Sequence, residues 1–262
     1  MEARWLVEEL ADGSWPGVLD EPVAARARSR FEELLERRAT GEPFQYVLGH
    51  WPFRKLDLMV DRRVLIPRPE TEVVVEVALA ELDGLGHGPS VAVDLGTGSG
   101  AIALSLVAER SGVEVWATDA SAGALSVARA NLAGLGAPAA RVRLAEGFWW
   151  DALPRTLAGR IDVAVSNPPY ISSGEMVALD PGVTEWEPRA ALEAGPFGTE
   201  DVGLILTEAR AWLARRASLV VEIAPHQAGD VCELAIGAGF VDVEVHPDLS
   251  GRDRVLVART GR

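Results

Sequence analysis

Cysteine is nearly absent from this sequence. The 262-residue chain has only Cys232, so no internal disulfide can form, which fits a reducing cytoplasm. Cys232 lies on an apolar helical pattern and reads as a small core residue, not a nucleophile. Histidine is scarce as well: the four histidines are scattered. No His, Cys or Asp grouping has metal-ligand spacing, and no metal is expected. Positive charge is outnumbered, with 25 basic against 39 acidic side chains and a net charge of −14. Such a surface repels a phosphate backbone, so direct nucleic-acid binding is not expected. No apolar run is long enough to span a bilayer. The amino terminus, Met1-Glu2-Ala3-Arg4-Trp5, lacks a signal-peptide pattern. A cytoplasmic protein with no membrane association is therefore expected. Internal repeats and low-complexity segments are missing too.

What is present suits a sizeable core, since hydrophobic residues make up 48% of the chain. Residues 3–10 read as a short helix, broken by Asp12-Gly13-Ser14-Trp15-Pro16-Gly17. A longer amphipathic helix is expected over 23–40, with Arg26, Arg30, Arg37 and Arg38 off its apolar face. Residues 43–53 and 55–60 suggest a hairpin, and 64–72 a proline-containing connector before a helix reaching about Leu82. Strand and helix then alternate, which argues for a mostly parallel sheet. Strands are expected at 91–95, 113–118, 141–144, 161–166 and 219–223. Helices are expected at 101–109, 121–132 and 200–216, with another ending near Gly237. The last two strand-like runs, 241–245 and 254–259, are joined by a short link that suits an antiparallel hairpin.

Three constellations carry chemistry. Gly96-Thr97-Gly98-Ser99-Gly100 lies between the first strand of the alternating part and its helix, where glycine lets a ligand approach the backbone. The third glycine comes one residue too early for the dinucleotide pattern G-x-G-x-x-G, which favours a nucleoside without a pyrophosphate. Asp119 ends the second of those strands, where an acid accepts ribose hydroxyls; its bland reading is a helix N-cap. Asn167-Pro168-Pro169-Tyr170 follows a buried strand, at the carboxyl end where open α/β sheets hold ligands. The Asn167 side-chain carbonyl and the Pro168 backbone carbonyl are acceptors on a stiff loop, and Tyr170 adds a flat face. That set suits a planar NH2 group, an amide or an exocyclic amine. Alone, the tetrapeptide also reads as a proline-rich turn.

Together, Asp94-Leu95-Gly96-Thr97-Gly98-Ser99-Gly100, Asp119 and Asn167-Pro168-Pro169-Tyr170 resemble class I S-adenosylmethionine-dependent methyltransferases acting on amino or amide nitrogen. Flanking stretches narrow the resemblance. Gly41-Glu42-Pro43-Phe44-Gln45-Tyr46, Leu65-Ile66-Pro67-Arg68-Pro69-Glu70-Thr71-Glu72, Glu187-Pro188-Arg189-Ala190-Ala191-Leu192 and Asp248-Leu249-Ser250-Gly251-Arg252-Asp253-Arg254 are similar to the peptide chain release factor N5-glutamine methyltransferases.

The resemblance implies an α/β fold. It consists of a Rossmann-like, seven-stranded, mostly parallel sheet with an antiparallel C-terminal hairpin, plus a small helical N-terminal domain. The implied divisions are 1–42 for a shortened substrate-docking domain, 43–72 for the hairpin and linker, and 73–262 for the methyltransferase domain. The implied cofactor is S-adenosyl-L-methionine, held by Gly96, Thr97, Gly98, Ser99, Gly100, Asp119, Trp149 and Asn167, with Trp149 flanking the adenine. The implied substrate is the glutamine of the Gly-Gly-Gln motif of a bacterial-type release factor. Asn167, Pro168, Pro169 and Tyr170 would bind it, and Asn167, Pro168 and Tyr170 would be catalytic. The alternatives are an exocyclic amine of DNA or rRNA, or another protein glutamine. Four departures stand out. Phe148 replaces an acid that contacts the adenine amine, and Glu146 is the nearest replacement for it. Ala224 stands where the family prefers glycine, residues 196–200 look like a small insertion, and the N-terminal domain is short.

Overall fold

The computed structural model describes residues 2–11, 25–86 and 88–261. The expected break at Asp12–Gly17 and the start of the second helix at Val23 lie outside them. Helices α1 (Glu2–Ala11), α2 (Ala25–Ala39) and α3 (Phe44–Leu48) pack through Leu6, Leu34, Phe44 and Val47. The short α3 is an addition to the sequence reading. The basic face of α2 is used internally: Arg37 donates to Glu42 Oε1 at 2.6 Å and to the Tyr46 carbonyl at 2.8 Å, and Arg38 pairs with Glu2 at 2.9 Å.

The expected hairpin forms from β1 (His50–Phe53) and β2 (Leu56–Met59), paired antiparallel. Asn131 fastens it to the larger body. Its Oδ1 accepts from the Met59 amide at 2.7 Å, and its Nδ2 donates to the carbonyls of Met59 (3.1 Å) and Ser99 (2.8 Å). Helix α4 (Pro69–Gly84) begins earlier than the sequence suggests. Pro69 occupies the first helical turn, where a missing N–H costs nothing, so Glu70, Thr71 and Glu72 are helical and not part of a connector.

The alternating part is β3 (Ser90–Leu95), α5 (Ala101–Glu109), β4 (Val113–Asp119), α6 (Ala122–Gly134), β5 (Val142–Glu146), β6 (Ile161–Ser166), the short α7 (Pro181–Thr184), α8 (Glu200–Trp212), β7 (Leu213–Glu222), α9 (Ala228–Gly237), β8 (Asp242–Pro247) and β9 (Asp253–Arg259). The seven strands lie in the order β5-β4-β3-β6-β7-β9-β8. The first five are parallel, and β9 is antiparallel to both neighbours, as the short link requires. Successive strand residues face opposite layers. Val163 and Val165 join α4 and α5 in one core, while Ala164 joins α8 and α9 in the other. Cys232 packs against the second core, in keeping with its reading as a small core residue.

Helix α8 ends four residues earlier than the sequence suggests. Its apolar pattern extends to Arg216, but the chain turns extended at Leu213. Thr260 explains this: its hydroxyl donates to the Ala214 carbonyl at 2.9 Å and accepts from the Ala217 amide at 2.9 Å. Those peptide groups therefore bond to the residue that follows β9 instead of continuing the helix.

The strand order reverses between β3 and β6, which pair in register Leu95↔Ser166. The Ser166 hydroxyl also donates to the Leu95 carbonyl at 2.7 Å. Gly96 and Asn167 therefore leave the sheet side by side, at the position where open α/β sheets bind ligands.

Candidate active site

The glycine loop is built by the strand behind it. Asp94 is fully buried, and its Oδ2 accepts from Thr97 Oγ1 at 2.6 Å and from the Ala103 amide at 3.1 Å. It thus ties the loop to the first turn of α5. Burial pushes the Asp94 carboxyl up to about 7. Gly96 has φ 76°, and a Cβ there would come within 3.0 Å of Trp149 Cζ3. Only glycine lets the indole lie on the loop.

Asp119 closes β4 and turns towards the loop. Its Oδ2 accepts from the Gly98 amide at 2.9 Å and its Oδ1 from the Ser121 amide at 2.8 Å. Each carboxylate oxygen keeps an unused lone pair. The helix cap of α6 is Ser121, whose hydroxyl accepts from Ala124, so the bland reading of Asp119 as that cap does not hold.

The two adjacent tryptophans part company. Trp150 is fully buried, stacks on Trp212 at 6.2 Å and donates to the Ile205 carbonyl at 3.1 Å. Trp149, at φ 43°, turns the other way into the cavity.

That cavity has a volume of about 510 Å³. Of the expected residues, Gly96, Thr97, Gly98, Ser99, Asp119, Trp149, Asn167 and Pro169 line it, while Gly100, Pro168 and Tyr170 do not. The connector contributes Val64, Leu65 and Pro67 to the wall, a part the sequence reading left without a role. Asp201 lines the cavity together with Phe148 and Trp149, whereas Glu146 is exposed at the end of β5 and does not line it. Asp201 opens α8 and its carboxyl is raised by burial.

The Asn-Pro-Pro-Tyr loop is held from behind. Asn167 Nδ2 donates to Thr71 Oγ1 at 3.1 Å, and Thr71 donates to Glu222 Oε2 at 2.7 Å. Tyr170 Oη donates to Glu222 Oε1 at 3.4 Å, and its carbonyl accepts from Gln227 Nε2 at 2.8 Å. Burial, and then the charge of Glu222, raise the Tyr170 phenol far above its ordinary value, so it remains a donor. Gln227 also donates to the Gly198 carbonyl at 3.0 Å, which fastens the apparent insertion onto the loop. Ala224 has φ −73°, which any residue adopts, so a glycine is not needed there. Farther out, Glu187 accepts from the Ile66 amide at 3.0 Å and from Arg68, joining two of the flanking stretches.

Family comparison agrees with this geometry. The methyltransferase small domain matches residues 78–180 and the PrmC N-terminal domain matches residues 1–49. The release factor glutamine methyltransferase of Cereibacter sphaeroides is 42% identical over 242 residues, covering 92% of this chain and 83% of its own length. That of Burkholderia pseudomallei is 43% identical over 243 residues, covering 92% and 84%. A methyltransferase structure from Pyrococcus furiosus superposes with a TM-score of 0.57 at 18% identity, covering 91% of this chain and 100% of its own, a likeness of fold alone. With its relatives matched over most of their length, this chain belongs to the release factor glutamine methyltransferase family.

Proposed function

We propose that this enzyme transfers a methyl group from S-adenosyl-L-methionine to the N5 side-chain amide of the glutamine in the Gly-Gly-Gln motif of a peptide chain release factor. The observation that carries the reading is Asn167, whose NH2 donates to Thr71 Oγ1 at 3.1 Å, which fixes the amide's orientation and leaves its carbonyl oxygen as the acceptor it offers to a ligand in the cavity. An acceptor so placed fits a substrate NH2. The relatives' shared name supplies the glutamine and the release factor.

The residues present fit the cofactor. Asp119 has two spare acceptor sites for the ribose hydroxyls, Gly96 and Gly98 offer bare backbone, and Trp149 offers a flat wall to the adenine. Asp201 is the acid that takes the adenine amine in place of the residue replaced by Phe148. When bound, S-adenosylmethionine supplies an electrophilic methyl group on a sulfonium.

The chain's own contribution is orientation and charge. A glutamine amide nitrogen is a weak nucleophile because its lone pair is delocalised into the carbonyl. Asn167 Oδ1, in the cavity wall, accepts from an N–H group of the substrate amide and fixes its direction of attack. That acceptor also stabilises positive charge as it builds on nitrogen. With the cofactor bound, an N–C bond would form as the methyl's S–C bond breaks, and the surplus N–H proton would pass to solvent. Tyr170 acts from behind the loop, holding its backbone.

The amino-terminal domain, residues 1–42, docks the substrate, residues 43–72 link it, and residues 73–262 carry the chemistry. Among the described residues no helix is long and apolar enough to cross a membrane. A cytoplasmic location follows from the proposed substrate.

The test is mass spectrometry of a release factor after incubation with enzyme and cofactor. One methyl group on the Gly-Gly-Gln glutamine is expected. In Asn167→Asp, the added charge must be desolvated at the substrate and transfer should fall about a hundredfold, with cofactor affinity little changed. Near wild-type transfer by a folded Asn167→Asp protein would sink the assignment.

A further inference from the structure

From the cavity wall beside the Asn-Pro-Pro-Tyr loop a buried polar chain runs inward, and the transfer itself does not use it. It consists of Thr71 from α4, Glu222 at the end of β7 and the Tyr170 hydroxyl. Thr71 is 4% exposed and Glu222 1%. A charged residue closing an apolar strand is costly unless its charge has a task or is fully paired. Glu222 accepts from Thr71 at 2.7 Å and from Tyr170 at 3.4 Å, and Arg254 is the cation that faces it.

The polarity of this chain is set at its inner end. An ionised carboxylate only accepts hydrogen bonds. Thr71 has one hydroxyl proton, and Glu222 takes it. The Thr71 oxygen can then only accept, so whichever Asn167 atom lies 3.1 Å away must be the NH2 group. The Asn167 carbonyl is thereby turned away from Thr71. We infer that Thr71 and Glu222 are positioning residues: they lock the Asn167 amide in the one orientation that offers an acceptor to the substrate nitrogen. The inference rests on the proposed role of Asn167 as the holder of the substrate amide.

The alternative orientation is chemically available. Protonated Glu222 can donate to Thr71, which then donates to the Asn167 carbonyl. The amide would rotate by half a turn and present N–H groups to the substrate N–H groups, and the two would repel. The balance between these states is tunable near neutral pH. Burial pushes Glu222 up to about 7 against the opposing effects of Thr71, Arg254 and Tyr170, with Glu70 reinforcing the rise. These are the polar and charged groups that face it, from α4, β9 and the loop after β6.

The experiment is single-turnover transfer of labelled methyl to a release factor at saturating cofactor, from pH 5.5 to 9. Wild-type enzyme should show a rate that rises through about pH 7 as Glu222 ionises. Thr71→Val removes the hydroxyl and keeps the shape. It should lower the plateau rate about tenfold to a hundredfold and abolish the acid limb, with cofactor affinity within about threefold of wild type. Thr71→Ser keeps the hydroxyl and should restore both rate and limb. Glu222→Gln keeps the shape and loses the charge, so it should also lose the limb; it serves as the test if Thr71→Val melts early. A slow Thr71→Val enzyme that keeps the wild-type acid limb would reduce Thr71 to packing and overturn the inference. So would wild-type rates in Thr71→Val alongside an inactive Asn167→Ala, which would leave the proposed function standing. Wild-type rates in Asn167→Ala would instead overturn the proposed function, and the lock with it.

Discussion

The carboxylate of Asp119 and the amide of Gly98 are joined by a 2.9 Å hydrogen bond, so the acid proposed to hold the ribose also holds the glycine loop in place. Removing it therefore acts twice. Asp119→Ala should weaken S-adenosylmethionine by more than the loss of one charged hydrogen-bond partner, itself about 1.5–3 kcal/mol or roughly tenfold or more in affinity. Calorimetry giving wild-type affinity would take Asp119 out of the site.

The neighbouring indoles make opposite predictions. Trp149 lines the cavity and Trp150 is fully buried against Trp212. The cofactor-dependent change in tryptophan fluorescence should vanish or shrink strongly in Trp149→Leu. Trp150→Ala should instead cost about 3–5 kcal/mol of folding stability in denaturant titrations. A fluorescence response that follows Trp150 would reverse the assignment.

For the adenine amine, two acids compete. Asp201 lines the cavity with its carboxyl raised by burial, and Glu146 is exposed outside it. Asp201→Ala should weaken the cofactor roughly tenfold. Glu146→Ala should leave affinity unchanged. The opposite ranking in a calorimetric comparison would restore Glu146.

At Gly198 the constraint is steric. Its φ is 77°, and a Cβ there would lie 2.7 Å from the Tyr170 carbonyl and 2.8 Å from Gln227 Nε2. Gly198→Ala must push the insertion away from the loop it braces. We expect a loss of about 1–3 kcal/mol in stability and a lower transfer rate. A Gly198→Ala protein with wild-type melting and turnover would show that the insertion does not brace the loop.

Stability should fall as pH rises between about 5 and 7. Burial pushes Asp94 and Glu222 each up to about 7, and it raises Asp119 as well. In that window these groups hold more protons in the folded chain than in the unfolded one, whose carboxyls titrate near ~4. Each proton so held makes stability fall by up to about 1.4 kcal/mol per pH unit. His50, raised by its bond to Asp57 despite partial burial, acts in the same direction. Carboxylates held low, such as Asp61 by Arg63 and Glu109 by Arg54, lose their stabilising effect only in more acid solution. Cofactor-free enzyme should thus melt higher at pH 5.5 than at pH 7.5, and the reverse order would contradict these shifts.

Much of this was written plainly in the sequence. Short apolar runs located β3, β4 and β6, and the glycine spacing and the Asn-Pro-Pro-Tyr tetrapeptide marked the two loops at their ends. What was hidden is long-range. Thr71 lies 96 residues from the Asn167 to which it is hydrogen-bonded, and nothing local distinguishes it from any threonine in a first helical turn. Glu222 did leave a trace, as a lone charge closing the apolar run Leu219-Val220-Val221. The true end of α8 depended on Thr260, which lies 46 residues beyond Ala214. The divergence of Trp149 and Trp150 depended on a positive φ that no propensity foretells.

The pairing of Leu95 with Ser166 has a consequence for how precisely this enzyme can work. Adjacent strands in a sheet are held about 4.8 Å apart by their ladder of hydrogen bonds. The glycine loop and the Asn-Pro-Pro-Tyr loop, proposed to hold methyl donor and acceptor, hang from two such strands, with the Ser166 hydroxyl adding one more tie at the rim. Their separation is thus set by the most rigid spacing a protein offers, and it cannot drift unless the centre of the sheet comes apart. Alignment of donor and acceptor is in that sense prepaid during folding. On the proposed function, that fixed spacing is the gap the methyl group would cross.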